Sequence, residues 1–155
     1  MAETARPVST RLLRSADIPV LRKLDSEVFH TQWSETFWQQ ELANDIATYV
    51  ALDANGALLG YAGFWLVAGE AQVTRVAVLK ARQGQGLGTQ LTAALIEAAW
   101  QQGATAVTLE VRTSNLAARQ VYQKNGFVAA GVRPHYYDDN GEDAMIMWLY
   151  RKEEG

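Results

Sequence analysis

The chain has no cysteine, which excludes a disulfide framework, a thiolate nucleophile and a thiolate metal site. Its two histidines, His30 and His135, lie far apart, so no metal is expected. Positive charge is in the minority: 14 Lys and Arg against 17 Asp and Glu leave a formal net charge of −3. A nucleic-acid partner calls for a basic footprint, and none is expected. Long apolar runs are missing as well. The stretch Ala57–Val67 is interrupted by glycines and is too short to span a bilayer, so no membrane partner is expected. The opening MAETARPVST lacks the charged and apolar regions of a secretory leader. One cytoplasmic domain over residues 1–155 is the expectation, and a monomer is compatible with it.

What the chain does have is a succession of clear periodicities. TRLLR (Thr10–Arg14) reads as a first strand, with Ser15 or Asp17 capping the helix that follows. In IPVLRKLDSEVF, Ile18, Leu21, Leu24 and Val28 share one helical face. WSETFWQQEL has Ser34 as a cap and Phe37, Trp38 and Leu42 as its apolar positions. Asn55-Gly56 between two apolar runs is a hairpin signal. EAQVTRVAVL is a further strand, with Val73, Arg75 and Ala77 on one face and Thr74, Val76 and Val78 on the other. Leu91, Leu95, Ala98 and Ala99 mark a helix ending near Gly103. ATAVTLEV is a strand, NLAARQVYQKNG a helix closed by Asn125-Gly126, and FVAAGVR and DAMIMWLY two final strands. The order β-α-α-β-β-β-α-β-α-β-β specifies an α/β fold with a mixed sheet.

Between the third helix and the strand before it lies ARQGQGLGTQL (Ala81–Leu91). Three closely spaced glycines strip side chains from a turn, and the first N–H groups of a helix have no internal partners. Such a turn is a phosphate cradle. A P-loop needs Lys and Ser or Thr after its last glycine, whereas Thr89-Gln90 follows Gly88 here. A dinucleotide fold accounts for Glu110 at the end of the next strand, but its G-x-G-x-x-G spacing is not met.

Gln83-x-x-Gly86-x-Gly88, followed by Asn115, Ala118, Tyr122, Gly126 and Phe127 at the spacing Asn-x-x-Ala-x-x-x-Tyr-x-x-x-Gly-Phe, resembles the GCN5-related N-acetyltransferase (GNAT) superfamily. WSETF, TLEVRTSNLAARQVYQKNGF, RPHYY and GEDAMIM are similar to the bacterial ribosomal-protein alanine N-acetyltransferases, the RimI subfamily. Gly84 stands where that subfamily usually has a basic residue, Leu79-Lys80 replaces its common Asp-Pro, and Gln32 precedes Trp33 in place of a proline.

The resemblance implies a mostly antiparallel sheet of seven strands flanked by four helices and splayed between the fourth and fifth strands. It implies acetyl-CoA as co-substrate and, as acceptor, the N-terminal alanine of small-subunit ribosomal protein eighteen or another basic peptide. Gln83, Gly84, Gln85, Gly86, Leu87, Gly88 and Thr89 would cradle the pyrophosphate through backbone N–H groups. Val76, Ala77 and Val78 would bind the pantetheine arm through main-chain atoms, and Asn115 would touch the cofactor or simply cap its helix. Arg119 and Lys124 either face the nucleotide phosphate or lie on a solvated helix face.

Acetyl transfer from a thioester needs a neutral amine and a proton for the departing thiolate. An α-amine titrates at roughly 7.7–8.0 against about 10.4 for lysine, so a carboxylate suffices as its base. The resemblance assigns that role to Glu110, whose alternative is a strand-end glutamate that is either solvated or salt-bridged, with Arg112 as a partner. It assigns the proton donor to Tyr122, whose alternative is a buried aromatic. Trp33 either walls the amine pocket or caps the helical pair. Tyr136 and Tyr137, beside Asp138, Asp139, Glu142 and Asp143, either bind and attract a basic peptide or belong to ordinary turn chemistry. Two rival functions remain: acetylation of a small-molecule amine, and acetyl-CoA binding without catalysis.

Overall fold

The computed structural model describes residues 8–29 and 31–152, so the expectations for His30 and for residues 1–7 lie outside the described residues. The elements are β1 (Val8–Leu12), α1 (Ile18–Val28), α2 (Glu35–Leu42), β2 (Ala47–Ala54), β3 (Ala57–Val67), β4 (Glu70–Val78), α3 (Leu87–Gln101), β5 (Ala106–Arg112), α4 (Leu116–Lys124), β6 (Val128–Arg133) and β7 (Ala144–Tyr150). Their order is the one the periodicities specify. The strands form one sheet in the order β1-β2-β3-β4-β5-β7-β6. Every neighbouring pair is antiparallel except β4–β5, as expected for the GNAT architecture. No helix among the described residues is long and apolar enough to cross a membrane.

Both faces of the sheet are covered. On one, Leu91, Leu95 and Ala99 of α3 and Tyr122 of α4 pack on Leu52, Phe64, Leu109, Val111 and Met147. On the other, Ile18, Leu21 and Leu24 of α1 and Trp38 of α2 pack on Tyr49, Ala51, Tyr61 and Ala77. The local signals act as their chemistry requires. Ser34 Oγ accepts the Phe37 amide at 3.0 Å and starts α2. Asn55 and Gly56, with φ of 55° and 87°, make the β2–β3 turn.

Three details differ from the sequence reading. β1 runs Val8–Leu12 instead of Thr10–Arg14, because its register against β2 pairs Val8 with Ala54 and Leu12 with Val50. Neither Ser15 nor Asp17 caps α1 with its side chain; Asp17 turns back to accept the Arg14 amide at 2.8 Å and to pair with Arg11. Phe37 is well exposed, leaving Trp38 as the buried residue of that helix turn.

A fourth difference matters more. Gly63 pairs with Arg75 but Phe64 pairs with Val73, so Thr74 is an extra residue bulged out of β4. The bulge resets the alternation. Val73 joins Val76 and Val78 on the α3 side, while Ala77 packs with the α1–α2 cluster. Val73, Arg75 and Ala77 therefore do not share a face.

Candidate functional site

The parallel β4–β5 ladder is short. It joins Glu70, Ala71 and Gln72 to Ala106, Val107 and Thr108, and goes no further among the described residues. Past that point the strands separate, while the other edge of β5 stays paired with β7 along its whole length. Leu79 N–H donates to Leu59 O, which fixes the alternation along β4. Ala77 thus directs its backbone groups to β3, and Val76 and Val78 direct theirs into the opening. The Val78 carbonyl already accepts the Gln83 side-chain amide at 3.0 Å. Gln83 thereby ties the glycine turn to the mouth of the opening.

That turn has the conformation its glycines permit. Gly84 and Gly86 both adopt φ of 81°, and a Cβ built on either would meet nothing within 4 Å. Gly86 is the residue before α3, and Gln90 makes the helix's first internal bond, to Gly86 O at 3.2 Å. The amides of Leu87, Gly88 and Thr89 precede that bond and are the donors that a helix start leaves without an intrahelical partner. Gln85 accepts from Arg82 at 3.0 Å and stiffens the loop. No atom lies within 4 Å of where a Cβ would stand on Gly84 or Gly86, the bare backbone that a phosphate cradle calls for.

Glu110 and Tyr122 approach from opposite sides of the sheet. Leu109 and Val111 belong to the α3–α4 cluster, so alternation turns Glu110 to the other face. Tyr122 is buried within the α3–α4 cluster, edge-on to Phe127 at 5.8 Å. Side chains on opposite faces of a continuous sheet cannot reach a common point. Past Gln72 and Thr108, however, β4 and β5 are no longer paired. Tyr136 and Tyr137, in the connection between β6 and β7, stand edge to face at 5.0 Å. Burial raises both phenols above their ordinary value, and the charge of Glu110 adds to the rise. Burial also pushes Tyr122 up to about 12, with Tyr137 contributing.

The ion pair expected as one alternative for Glu110 is not formed. Arg112 pairs with Asp139 at 2.7 Å and with Glu142 at 3.5 Å, and lies over the Tyr137 ring at 4.0 Å. Glu142 also accepts the Ser114 amide at 2.8 Å, and hydrogen bonds from Ser114 hold its carboxyl down at about 2. Asp143 accepts the His135 amide at 3.0 Å. Asp139, Glu142 and Asp143 are thus each engaged by a neighbouring group, and Asn140 Oδ1 accepts the Glu142 amide at 2.9 Å, as turn chemistry expects.

Asn115 caps α4, accepting the Ala118 amide at 3.1 Å through Oδ1, which leaves its side-chain NH2 directed elsewhere. Arg119 donates to Thr113 O at 2.9 Å and so braces the β5–α4 loop, while Lys124 is exposed. Trp33 packs on Phe37 and Trp38, with ring centroids 4.6 and 4.8 Å away, and carries the Arg75 guanidinium at 4.0 Å. Sequence reasoning passed over Arg75 and the buried carboxylates Asp25 and Glu41. A charged residue at an apolar helix position is the signal that marks the latter two.

The Acetyltransferase (GNAT) family matches residues 16–127 of the chain. A Bacillus subtilis protein provisionally named ribosomal protein bS18-alanine N-acetyltransferase is 37% identical over 142 residues, covering 91% of this chain and 94% of its own. The Mycobacterium tuberculosis N-alpha-acetyltransferase RimI is 34% identical over 161 residues, covering 100% of this chain and 98% of its own. Among solved structures, the ribosomal-protein-S18-alanine N-acetyltransferase from Escherichia coli superposes with a TM-score of 0.85 at 31% identity, covering 96% of this chain and 97% of that one.

Proposed function

Because the chain belongs to the GNAT acetyltransferase family, we propose that it acetylates the α-amine at a protein N-terminus, with alanine-initiated bS18 as the first substrate to test. The family draws its acetyl group from the thioester of acetyl-CoA. One observation supports the reading: the β4–β5 ladder ends at Gln72 and Thr108, ahead of Glu110, so an opening lies beside the two proposed residues' stretch of the sheet, with Glu110 facing one side and Tyr122 the other.

Glu110 takes the proton from the attacking α-amine, directly or through water, and Tyr122 returns one to the departing thiolate. The Val76 and Val78 amides line the opening where the reacting carbonyl would lie, as donors fixed before the reaction. Residues 83–89 hold the pyrophosphate by backbone N–H groups, and the Asn115 amide stands at the near end of α4. Trp33, Tyr136 and Tyr137 surround the acceptor. A cytoplasmic location and one acetyltransferase domain over residues 1–155 belong to the same proposal.

The test is a panel of amines read by thiol release. An Ala-initiated peptide is expected to exceed lysine, spermidine and an aminoglycoside in kcat/KM, because a carboxylate base suits an amine titrating near neutrality. Faster turnover of any small amine overturns the protein-substrate reading, and tight acetyl-CoA binding without turnover of any amine overturns the enzyme reading.

Gly86→Val tests the cradle. A β-branched side chain is forced into left-handed backbone and into the open space in front of α3. Acetyl-CoA affinity is expected to fall at least tenfold, about 1.4 kcal/mol. Calorimetry giving the parent's affinity removes the phosphate assignment.

A further inference from the structure

Arg75 projects from β4 just past the bulged Thr74, toward the segment joining α1 to α2. Its guanidinium is sandwiched between the rings of Phe29, 4.1 Å away, and Trp33, 4.0 Å away. Nη2 donates to the Thr31 carbonyl at 3.0 Å. Nη1 lies 3.7 Å from Asp25 Oδ2 and makes no hydrogen bond among the described residues, although it is buried. The inward ion pair is therefore loose, and the specific contacts of this side chain all go to the α1–α2 segment. Asp25 is satisfied without it, accepting from Tyr61 Oη and from Trp38 Nε1.

We infer that Arg75 is a positioning residue that latches the α1–α2 segment to β4 and thereby sets the wall of the acceptor site. The neighbouring residue on the same strand, Val76, lines the opening between β4 and β5. A single side chain thus fixes the distance from Trp33 to the strand where transfer takes place. Phe37 and Trp38 back the Trp33 ring, so the ring is held between a rigid helix and the guanidinium. The planar fork stacks on rings and donates to a carbonyl at once, which a lysine ammonium cannot do. The latch acts on acceptor binding and leaves the cofactor cradle untouched.

The assignment of Trp33 to the acceptor site rests on the proposed function, so the experiment reads the latch in two independent ways. Arg75→Lys keeps the charge beside Asp25 and removes the fork. Phe29→Leu removes one ring and leaves the charge in place. Both variants are expected to raise the KM for the Ala-initiated peptide by about fivefold or more, with kcat and acetyl-CoA affinity changed less than twofold. Both are also expected to speed hydrogen exchange at the amides of residues 31–34. If Arg75→Lys restores the parent's KM and exchange, Arg75 is only a counter-ion for Asp25 and the latch is overturned. Parental exchange at 31–34 in Phe29→Leu overturns it equally. A parent enzyme that acetylates no peptide refutes the proposed function instead, and the exchange measurement still decides the latch.

Discussion

Glu110→Gln is expected to lower turnover of an Ala-initiated peptide near neutral pH by about two to four orders of magnitude, the usual range for losing a positioned base. The loss should shrink as pH rises, because the free α-amine is increasingly delivered already deprotonated above roughly 8. Tyr122→Phe should slow turnover with no such recovery, since the missing proton is needed at the leaving thiolate whatever the state of the amine. Burial and the neighbouring Tyr137 push the Tyr122 hydroxyl up to about 12, so it stays protonated throughout an ordinary assay range. The parent's rate profile between pH 6 and 10 should therefore show no descending limb from Tyr122. Thiol release measured across that range separates the two variants. A double variant that keeps most of its activity makes both residues structural.

The parts of this protein that were legible in its sequence are those written in local chemistry. Asn55-Gly56 demands a tight hairpin, Ser34 caps α2, and the glycines before α3 permit the left-handed φ of 81° found at Gly84 and Gly86. Periodicity alone yields the element order, and two spaced motifs identify the family. What was hidden depends on pairing across the sheet. Thr74 carries no mark of a bulge, because a bulge is a mismatch between two strands and not a property of either. With the bulge unseen, alternation placed Val73 beside Arg75, and nothing aimed Arg75 at the α1–α2 segment.

The acidic loop was ambiguous for a related reason. Asp139 and Glu142 find their partner in Arg112, 27 and 30 residues away in sequence, and that contact exists only once β5 and β7 are side by side. Charge counted along the chain admitted both a surface that attracts a peptide and ordinary turn chemistry. Charge counted in space shows an ion-pair cluster that braces Tyr137 from above. Asn115 is a cap, one of its two expected roles, and it caps through its oxygen alone, so the geometry of the cap is compatible with the other role as well.

Asp25→Ala is expected to be the most destabilising single truncation among the polar residues discussed here. Asp25 is fully buried on α1, and its two oxygens accept from Tyr61 Oη and Trp38 Nε1, both on fully buried side chains, with Arg75 alongside. Removing the carboxylate strands two buried donors, each costing about 1–3 kcal/mol, so a loss of about 3–5 kcal/mol is expected. For a chain of this size that corresponds to a fall in Tm on the order of 6–20 °C, at roughly 2–4 °C per kcal/mol. Glu41→Ala should cost less, on the order of 1–3 kcal/mol, because Tyr49 keeps a hydrogen bond with Thr74 at 2.9 Å and Trp65 is only partly buried.

The pH dependence carries an independent sign. Burial outweighs the donors and pushes the Asp25 carboxyl above the ordinary carboxylate range. A carboxyl raised in the fold contributes proton-linked stability that is full below its unfolded pKa and is lost as pH rises through the folded one. Asp17 and Asp53, held down by hydrogen bonds from Arg11, do the reverse, and their contribution fades as pH falls. Mild acid therefore weakens the Arg11 cluster in parent and variant alike, while the gap between the parent and Asp25→Ala should hold or widen. Denaturant unfolding at pH 7 and pH 5 measures both gaps. A gap below about 1 kcal/mol at pH 7, or one that closes at pH 5, means that Tyr61, Trp38 and Arg75 find other partners when Asp25 is gone.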